Sequence, residues 1–379
     1  MEKINIAFVI DTFDLGGAEK LLLAVVKHLD KSKFRIFAFS LFKGGMLEKD
    51  FSLYCEKISH LSLSSNFSVV KCICSLRCLF LKNKIDIVHT HLFASNICGR
   101  IAAKLSGIKN VITTLHNPDY SFEDNGKMSY RFRKFVDKFT GCICNKLFLA
   151  VSESVKKDFQ KNLGFNNIEV LYNSIDTDLY NIKSDSLRKK KREELGFLEN
   201  DFVLVNIGRL HKQKNQLSLI EAMNFLIHED KSYKMLIVGS GQMEGILKEK
   251  VFRLKLQSDI LFLKCRDDIP DILNSCDLFV FPSLYEGFGV ALIEAMACGL
   301  PVVASGIESL REILEDGLDS VILNKISSED ISKAVSLLRK DKQRMKFLAE
   351  KAREKAIKKF DIRNHVANIE RIYTNILIN

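Results

Sequence analysis

Leu278-Phe279-Val280-Phe281-Pro282-Ser283-Leu284-Tyr285-Glu286-Gly287-Phe288-Gly289-Val290-Ala291-Leu292-Ile293-Glu294-Ala295 is the stretch whose chemistry decides the fold. Four apolar residues make a buried-strand pattern, a loop with two glycines follows, and a helical apolar spacing begins at Val290. A strand, a glycine loop and a helix form the repeating unit of an open parallel sheet, whose ligands bind beyond the carboxyl ends of the strands. Gly287 and Gly289 permit close backbone approach, and the unpaired N–H groups of a helix start favour an anion. Glu286 lies in the loop and Glu294 about two turns further on. Two carboxylates so placed can each grip hydroxyls of one polyol ligand. Otherwise, Glu286 caps the helix and Glu294 is a solvated helix residue.

The same alternation runs outward in both directions. Upstream, Ile4–Ile10, Phe34–Phe39, Ile85–Val88, Val111–Leu115, Phe148–Val151 and Ile168–Leu171 read as strands separated by helical segments, the first helix running from about Ala18 to Leu29. A second set comprises Phe202–Ile207, Met235–Val238, Ile260–Phe262, Leu278–Phe281 and Pro301–Ala304. The expected fold class is α/β: two Rossmann-like, doubly wound parallel-sheet domains facing each other across a cleft. Their expected limits are 1–172 and 201–360, joined by a linker at 173–200 that holds no apolar strand. Arg188-Lys189-Lys190-Lys191-Arg192 lies inside the linker and reads as a solvated face rather than a nucleic-acid patch.

Three more strand ends carry candidate chemistry. Gly208-Arg209-Leu210-His211-Lys212-Gln213-Lys214-Asn215 follows Phe202–Ile207; the planar fork of Arg209 and the compact charge of Lys214 suit a diphosphate. Asp14-Leu15-Gly16-Gly17-Ala18-Glu19 follows the first strand and lacks the Gly-x-Gly-x-x-Gly dinucleotide spacing; Gly239-Ser240-Gly241 recurs at the same kind of place. Each glycine pair alone is equally a tight turn. His116 closes Val111–Leu115, where an imidazole can bond a sugar hydroxyl. His89 and His91 are expected on opposite sides of an extended segment, and so to be poor joint metal ligands.

Composition narrows the function classes. The 379 residues are 47% hydrophobic and 27% charged, an ordinary globular mix that excludes disorder and collagen-like repeats. The formal net charge is +10. Ten cysteines occur without one Cys-x-x-Cys pair, so they read as small apolar residues in a reducing cytoplasm rather than zinc ligands. No apolar run approaches the ~20 residues that span a bilayer, and Met1–Ile10 has no leader-like pattern; a cytoplasmic protein, soluble or peripheral, is expected. Phe132, Phe135, Val136 and Phe139 fall at helical spacing among Arg131, Arg133, Lys134 and Lys138. Such a helix either packs its Phe face on the domain core or lies on an anionic membrane surface.

Taken together these motifs resemble the family-four retaining glycosyltransferases of GT-B fold. Glu286 and Glu294 match the family's Glu-x7-Glu pattern, preceded by Arg266-Asp267-Asp268-Ile269-Pro270 and Pro282-Ser283; Gly208-Arg209-Leu210 with Lys214 matches Gly-Arg-Leu-x-x-x-Lys. Gly16-Gly17-Ala18-Glu19, Val151-Ser152 and Asn173-Ser174-Ile175-Asp176 stand in the expected order. The resemblance implies sugar transfer from a nucleotide-diphosphate sugar, UDP-sugar favoured, to a hydroxyl of a glycan or lipid-linked saccharide in bacterial surface polysaccharide synthesis. It implies a catalytic set of Arg209, Lys214, Glu286 and His116. The implied donor contacts are Gly16, Gly17, Arg209, Lys214, Gly239, Arg266, Glu286, Gly287, Phe288, Gly289 and Glu294, with Glu294 on the ribose and Glu286 on the sugar. A last helix, about 361–379, would cross back to the first domain. Cys265 departs from the glycine common there, which leaves the base open. No metal or other cofactor is expected, because Arg209 and Lys214 already supply positive charge, and no nucleic-acid partner. Peripheral attachment to the inner face of the cytoplasmic membrane is expected. A nucleotide-sugar epimerase of this fold and a catalytically silent partner subunit are the rival readings.

Overall fold

The computed structural model describes residues 3–62, 66–122 and 128–378. It divides into two compact units, residues 1–174 with 362–379, and residues 175–361.

The first unit holds seven parallel strands: β1 (Ile4–Ile10), β2 (Phe34–Ser40), β3 (Lys57–His60), β4 (Ile87–His91), β5 (Asn110–Leu115), β6 (Leu147–Ala150) and β7 (Ile168–Val170). Their spatial order is β3-β2-β1-β4-β5-β6-β7, so the winding reverses between β1 and β4. β1 is central and buried on both faces. Ile6, Phe8 and Ile10 pack with Leu22, Val26, Ile369 and Tyr373; Ala7 and Val9 pack on the other side with Val88, Ala102 and Ala103. That two-sided burial is why the strand reads as one apolar run rather than an alternation. The terminal helix Ile362–Ile378 clusters with this first unit, adding Val366, Ile369 and Tyr373 to its core.

The second unit holds β8 (Phe202–Ile207), β9 (Tyr233–Val238), β10 (Ile260–Leu263), β11 (Leu278–Phe281), β12 (Val302–Ser305) and β13 (Val321–Leu323), in the order β10-β9-β8-β11-β12-β13. The winding reverses between β8 and β11. Residues 173–200, expected as a linker, carry the helix Asp185–Glu194, and from Ile175 onward they belong to the second unit. The basic run sits on that helix and is only partly solvated. Arg188 donates to the Asn274 and Cys276 carbonyls and pairs with Asp277; buried Arg192 donates to the Ser275 carbonyl and to Asp277.

One expectation needs correction, and two of the alternatives left open by the sequence are ruled out. His89 and His91 lie inside β4 and project to the same side, with ring centroids 4.4 Å apart; side chains two apart on a pleated strand share a face. The Phe face of the helix Met128–Cys144 does not pack on the core: Phe132, Phe135 and Phe139 are exposed by 67%, 64% and 54%. The inward face of that helix is polar, since buried Asp137 pairs with fully buried Arg100 at 2.5 Å and accepts from the Tyr120 hydroxyl at 2.6 Å. Finally, Glu294 is not solvated. It is buried in the helix Val290–Ala297, whose N-cap is Gly289 rather than Glu286.

Candidate functional site

In the second unit the two loops flanking the winding reversal are tied together. After β8 the chain turns through Gly208, which presses on the end of β9: a Cβ built on Gly239 would lie 2.0 Å from the Gly208 carbonyl oxygen. Only glycine fits there, at φ +149°. Gly239 thus holds the strand ends in register, whatever else it does. A short 3-10 turn, Lys212–Lys214, is started by His211, whose Nδ1 accepts from the Gln213 N–H at 3.2 Å. The turn delivers Lys214 Nζ to Glu286 Oε1 at 2.5 Å and places the ammonium 4.8 Å from the centre of the Phe281 ring. Both partners are largely buried, at 12% and 6% exposure.

Gln213, quoted within the motif but given no role, is the clamp between these loops. Its Nε2 donates to the Tyr285 carbonyl at 2.8 Å, its own carbonyl accepts from Leu284 N–H at 2.8 Å, and its Oε1 accepts from Arg209 at 3.4 Å. Arg209 is exposed apart from that long bond, so its fork is open to an anion. Asn206 adds a further tie, donating to the Val280 carbonyl at 2.8 Å.

Beyond Glu286, Gly287 and Phe288 lead into the helix start. Gly289 has φ +101°, which re-aims the chain so that Val290 begins the helix. Phe288 is buried edge-on against Phe360, with ring centroids 5.6 Å apart. Glu294 bonds the hydroxyl of Tyr180, a residue that sequence reading overlooked. Burial first, and then the charge of Glu294, push the Tyr180 phenol well above its ordinary range, so it stays a donor to the carboxylate. Arg266 does not join this group. Its guanidinium grips Asp268 at 2.6 and 2.7 Å, and this contact chiefly holds the Asp268 carboxyl down to about 2.

The first unit has its own site at its winding reversal. Asp11, at the end of β1, accepts from the Ser95 N–H at 2.9 Å and its hydroxyl at 2.7 Å, joining the β1 and β4 loops. Between them Leu92 has φ +71° and ψ 160°, a strained conformation for a residue with a side chain. Gly16 caps the helix Gly17–His28. Glu19 folds back over it, so that a Cβ on Gly16 would lie 2.0 Å from Glu19 Oε2. Burial is the main cause lifting the Glu19 carboxyl to about 7. His116, just past β5, contacts His91 across 3.1 Å, and burial pushes its imidazole down to about 4. Among the described residues no group of three or more His, Cys, Asp or Glu is placed to hold a metal ion, and no helix is long and apolar enough to cross a membrane.

Each unit has thus gathered polar side chains at the carboxyl edge of its sheet, where its strand order reverses. Comparison with known proteins agrees with that layout. Residues 15–179 match the model described as Glycosyltransferase Family 4, and residues 188–355 match Glycosyl transferases group 1. The chain is 31% identical to a UDP-Gal:alpha-D-GlcNAc-diphosphoundecaprenol alpha-1,3-galactosyltransferase of Escherichia coli, over 84% of this chain and 83% of that one. It is 27% identical to an N-acetyl-alpha-D-glucosaminyl L-malate synthase of Bacillus anthracis, over 78% and 76%. The crystal structure of Anabaena HepE in complex with UDP-glucose superposes with a TM-score of 0.86 at 23% identity, over 98% of this chain and all of that one, which establishes the shared two-domain fold.

Proposed function

We propose that this chain, which belongs to glycosyltransferase family 4, moves a sugar from a UDP-sugar to a hydroxyl of a lipid-linked saccharide or growing glycan, with retention of anomeric configuration. The observation that carries this is the buried Lys214–Glu286 pair, with exposed Arg209 beside it, at the winding reversal of the second sheet. Breaking a nucleotide–sugar bond leaves negative charge on the departing diphosphate. Arg209 and Lys214 would neutralise it as preorganised cations, which is why the reading needs no metal. Glu286, its other oxygen free of the Lys214 contact, would accept a hydroxyl of the transferred sugar. Glu294, steadied by Tyr180, would accept the ribose hydroxyls, and the Gly287–Gly289 backbone would line the diphosphate. In the first unit Gly16 and Gly17 would approach the phosphates and His116 the sugar. Attack on the same face, with the donor phosphate taking the acceptor's proton, gives retention without a covalent sugar on either carboxylate. The UDP preference and the lipid-linked acceptor are supported by what the E. coli relative acts on.

Membrane attachment is part of the same proposal. The helix Met128–Cys144 turns Met128, Phe132, Phe135, Phe139 and Ile143 outward, flanked by exposed Arg131 and Lys138. An apolar stripe with cations along its edge suits the interface of an anionic bilayer.

The test is incubation with labelled UDP-sugars and a polyprenyl-diphosphate saccharide, in excess EDTA, with the product anomer read by NMR. Transfer with retention is expected. An epimerised nucleotide sugar, or no turnover with any donor, overturns the proposal; activity that returns only with magnesium overturns its metal-free part.

A further inference from the structure

Four histidines of the first unit surround or adjoin one small cavity, and among the described residues two buried polar atoms beside it lack partners. The cavity is about 20 Å³ and is lined by His89, His91, His365, Asn173 and Thr114 together with apolar side chains. That is room for one water. His91, Asn173 and His365 are all more than nine-tenths buried, and among the described residues His91 Nε2 and Asn173 Oδ1 have no hydrogen-bond partner. Burial holds all four imidazoles below their ordinary range, so each ring is neutral, with one donor and one acceptor.

The chain of bonds starts from a fixed point. His365 Nδ1 lies 2.9 Å from the Tyr172 carbonyl, which only accepts, so His365 carries its proton on Nδ1 and Nε2 is an acceptor. Asn173 Oδ1 is a second acceptor. A water in the cavity that gives one proton to each of these acceptors would in turn accept from His91 Nε2–H. His91 Nδ1 is thereby left as an acceptor. Its neighbour at 3.1 Å, His116 Nε2, must be the donor. His89 stands outside this chain, engaged by the Tyr373 hydroxyl at 2.7 Å and the Thr114 hydroxyl at 2.8 Å.

We propose that the cavity holds one structural water, and that through it His91 acts as a positioning residue, locking His116 in the Nε2–H tautomer with Nδ1 presented as a hydrogen-bond acceptor. A ring so held accepts from a sugar or acceptor hydroxyl and has no proton to give on that side. This last consequence rests on the reading that His116 faces the sugar; the lock itself does not.

The experiment is long-range 1H–15N correlation NMR of the full chain labelled at histidine ring nitrogens, at pH 7.5, with resonances assigned from single histidine substitutions. His116 and His91 are expected as Nε2–H tautomers and His365 as Nδ1–H. His91→Gln, whose amide oxygen can still accept, is expected to keep the His116 tautomer, and His91→Phe to leave two tautomers in exchange. If His91→Phe does not fold, the wild-type spectrum alone decides. Finding His116 as Nδ1–H or as a mixture in the wild type overturns the lock. A crystal structure with no water density within hydrogen-bond distance of His91 Nε2 and Asn173 Oδ1 overturns the water. None of these readouts uses turnover, so a failed transfer assay and a failed lock are separable.

Discussion

Replacing Glu19 by Gln should stabilise this protein at alkaline pH and do nothing at acid pH. The Glu19 carboxyl is folded against Gly16 at the start of the helix Gly17–His28, with 8% of its surface exposed. It titrates at about 7 instead of 4.5, chiefly through burial, with Asp11 and Asp14 adding like charge. The proton therefore binds more tightly in the folded chain. Below the unfolded value both states are protonated and the site imposes no penalty; as pH rises through about 7 the folded chain must carry a buried charge. The loss accumulated between those limits is about 3 kcal/mol, from ~1.4 kcal/mol for each pH unit separating the two titrations. Gln keeps the shape and one acceptor oxygen and cannot ionise. Urea unfolding of wild type and Glu19→Gln, side by side, should give equal stabilities at pH 4.5 and an advantage to the variant of roughly 2–3 kcal/mol at pH 8.5. Because the histidines are common to both proteins, their titration cancels in the difference. An advantage of the same size at both pH values, or a less stable variant at pH 8.5, would refute the burial argument.

Four further outcomes follow from the same geometry. Lys214→Met leaves Glu286 buried without its partner and should cost about 3–5 kcal/mol; adding Glu286→Gln should restore much of that in thermal unfolding without restoring turnover. Tyr180→Phe removes the donor to Glu294 and should raise KM for the nucleotide sugar roughly threefold to tenfold, with kcat changed less, as read from initial rates over a donor series. The histidine cluster works opposite in sign to Glu19. His89 titrates at about 3 and His116 and His365 at about 4, so below their ordinary 6.5 the unfolded chain takes up protons the folded unit refuses. Stability should therefore fall towards pH 4 by ~1.4 kcal/mol per pH unit for each ring, visible as a dropping thermal midpoint. Replacing Phe132, Phe135 and Phe139 together by Asp should abolish flotation with anionic liposomes while shifting the unfolding midpoint little, because the three rings are exposed; flotation unchanged from wild type would remove the membrane from the proposal.

The legibility of this chain in its sequence was uneven, for identifiable reasons. Strands buried on both faces announce themselves as unbroken apolar runs, so β1, β8 and β11 could be placed within a residue or so. Of the edge strands, β7 and β10 were legible as short apolar runs, and β3 and β13 were not. β3, Lys57–His60, is only half-buried, and β13 has three residues. The helix Met128–Cys144 misled because periodicity reports that an apolar stripe exists and not which way it faces. Here the inward face is fixed by Arg100, a residue 37 positions from its partner Asp137.

For the candidate site, local chemistry and long-range placement divide cleanly. The order Gly208-Arg209-Leu210…Lys214 and the spacing of Glu286 and Glu294 are written in one dimension, because strand-end loops and a helical turn are local structures. The sequence by itself therefore determined the α/β architecture, the pairing of motif with sheet edge, and the choice of cations and carboxylates. Only tertiary structure decided that Lys214 bonds Glu286 across 72 positions, that Arg266 is held by Asp268 instead of joining them, and that Tyr180 supports Glu294. It also brought His365, on the terminal helix, to the cavity beside His91. Burial and hydrogen-bond partners are properties of pairs brought together by folding, and no pattern along the chain records which distant residue will supply the other half.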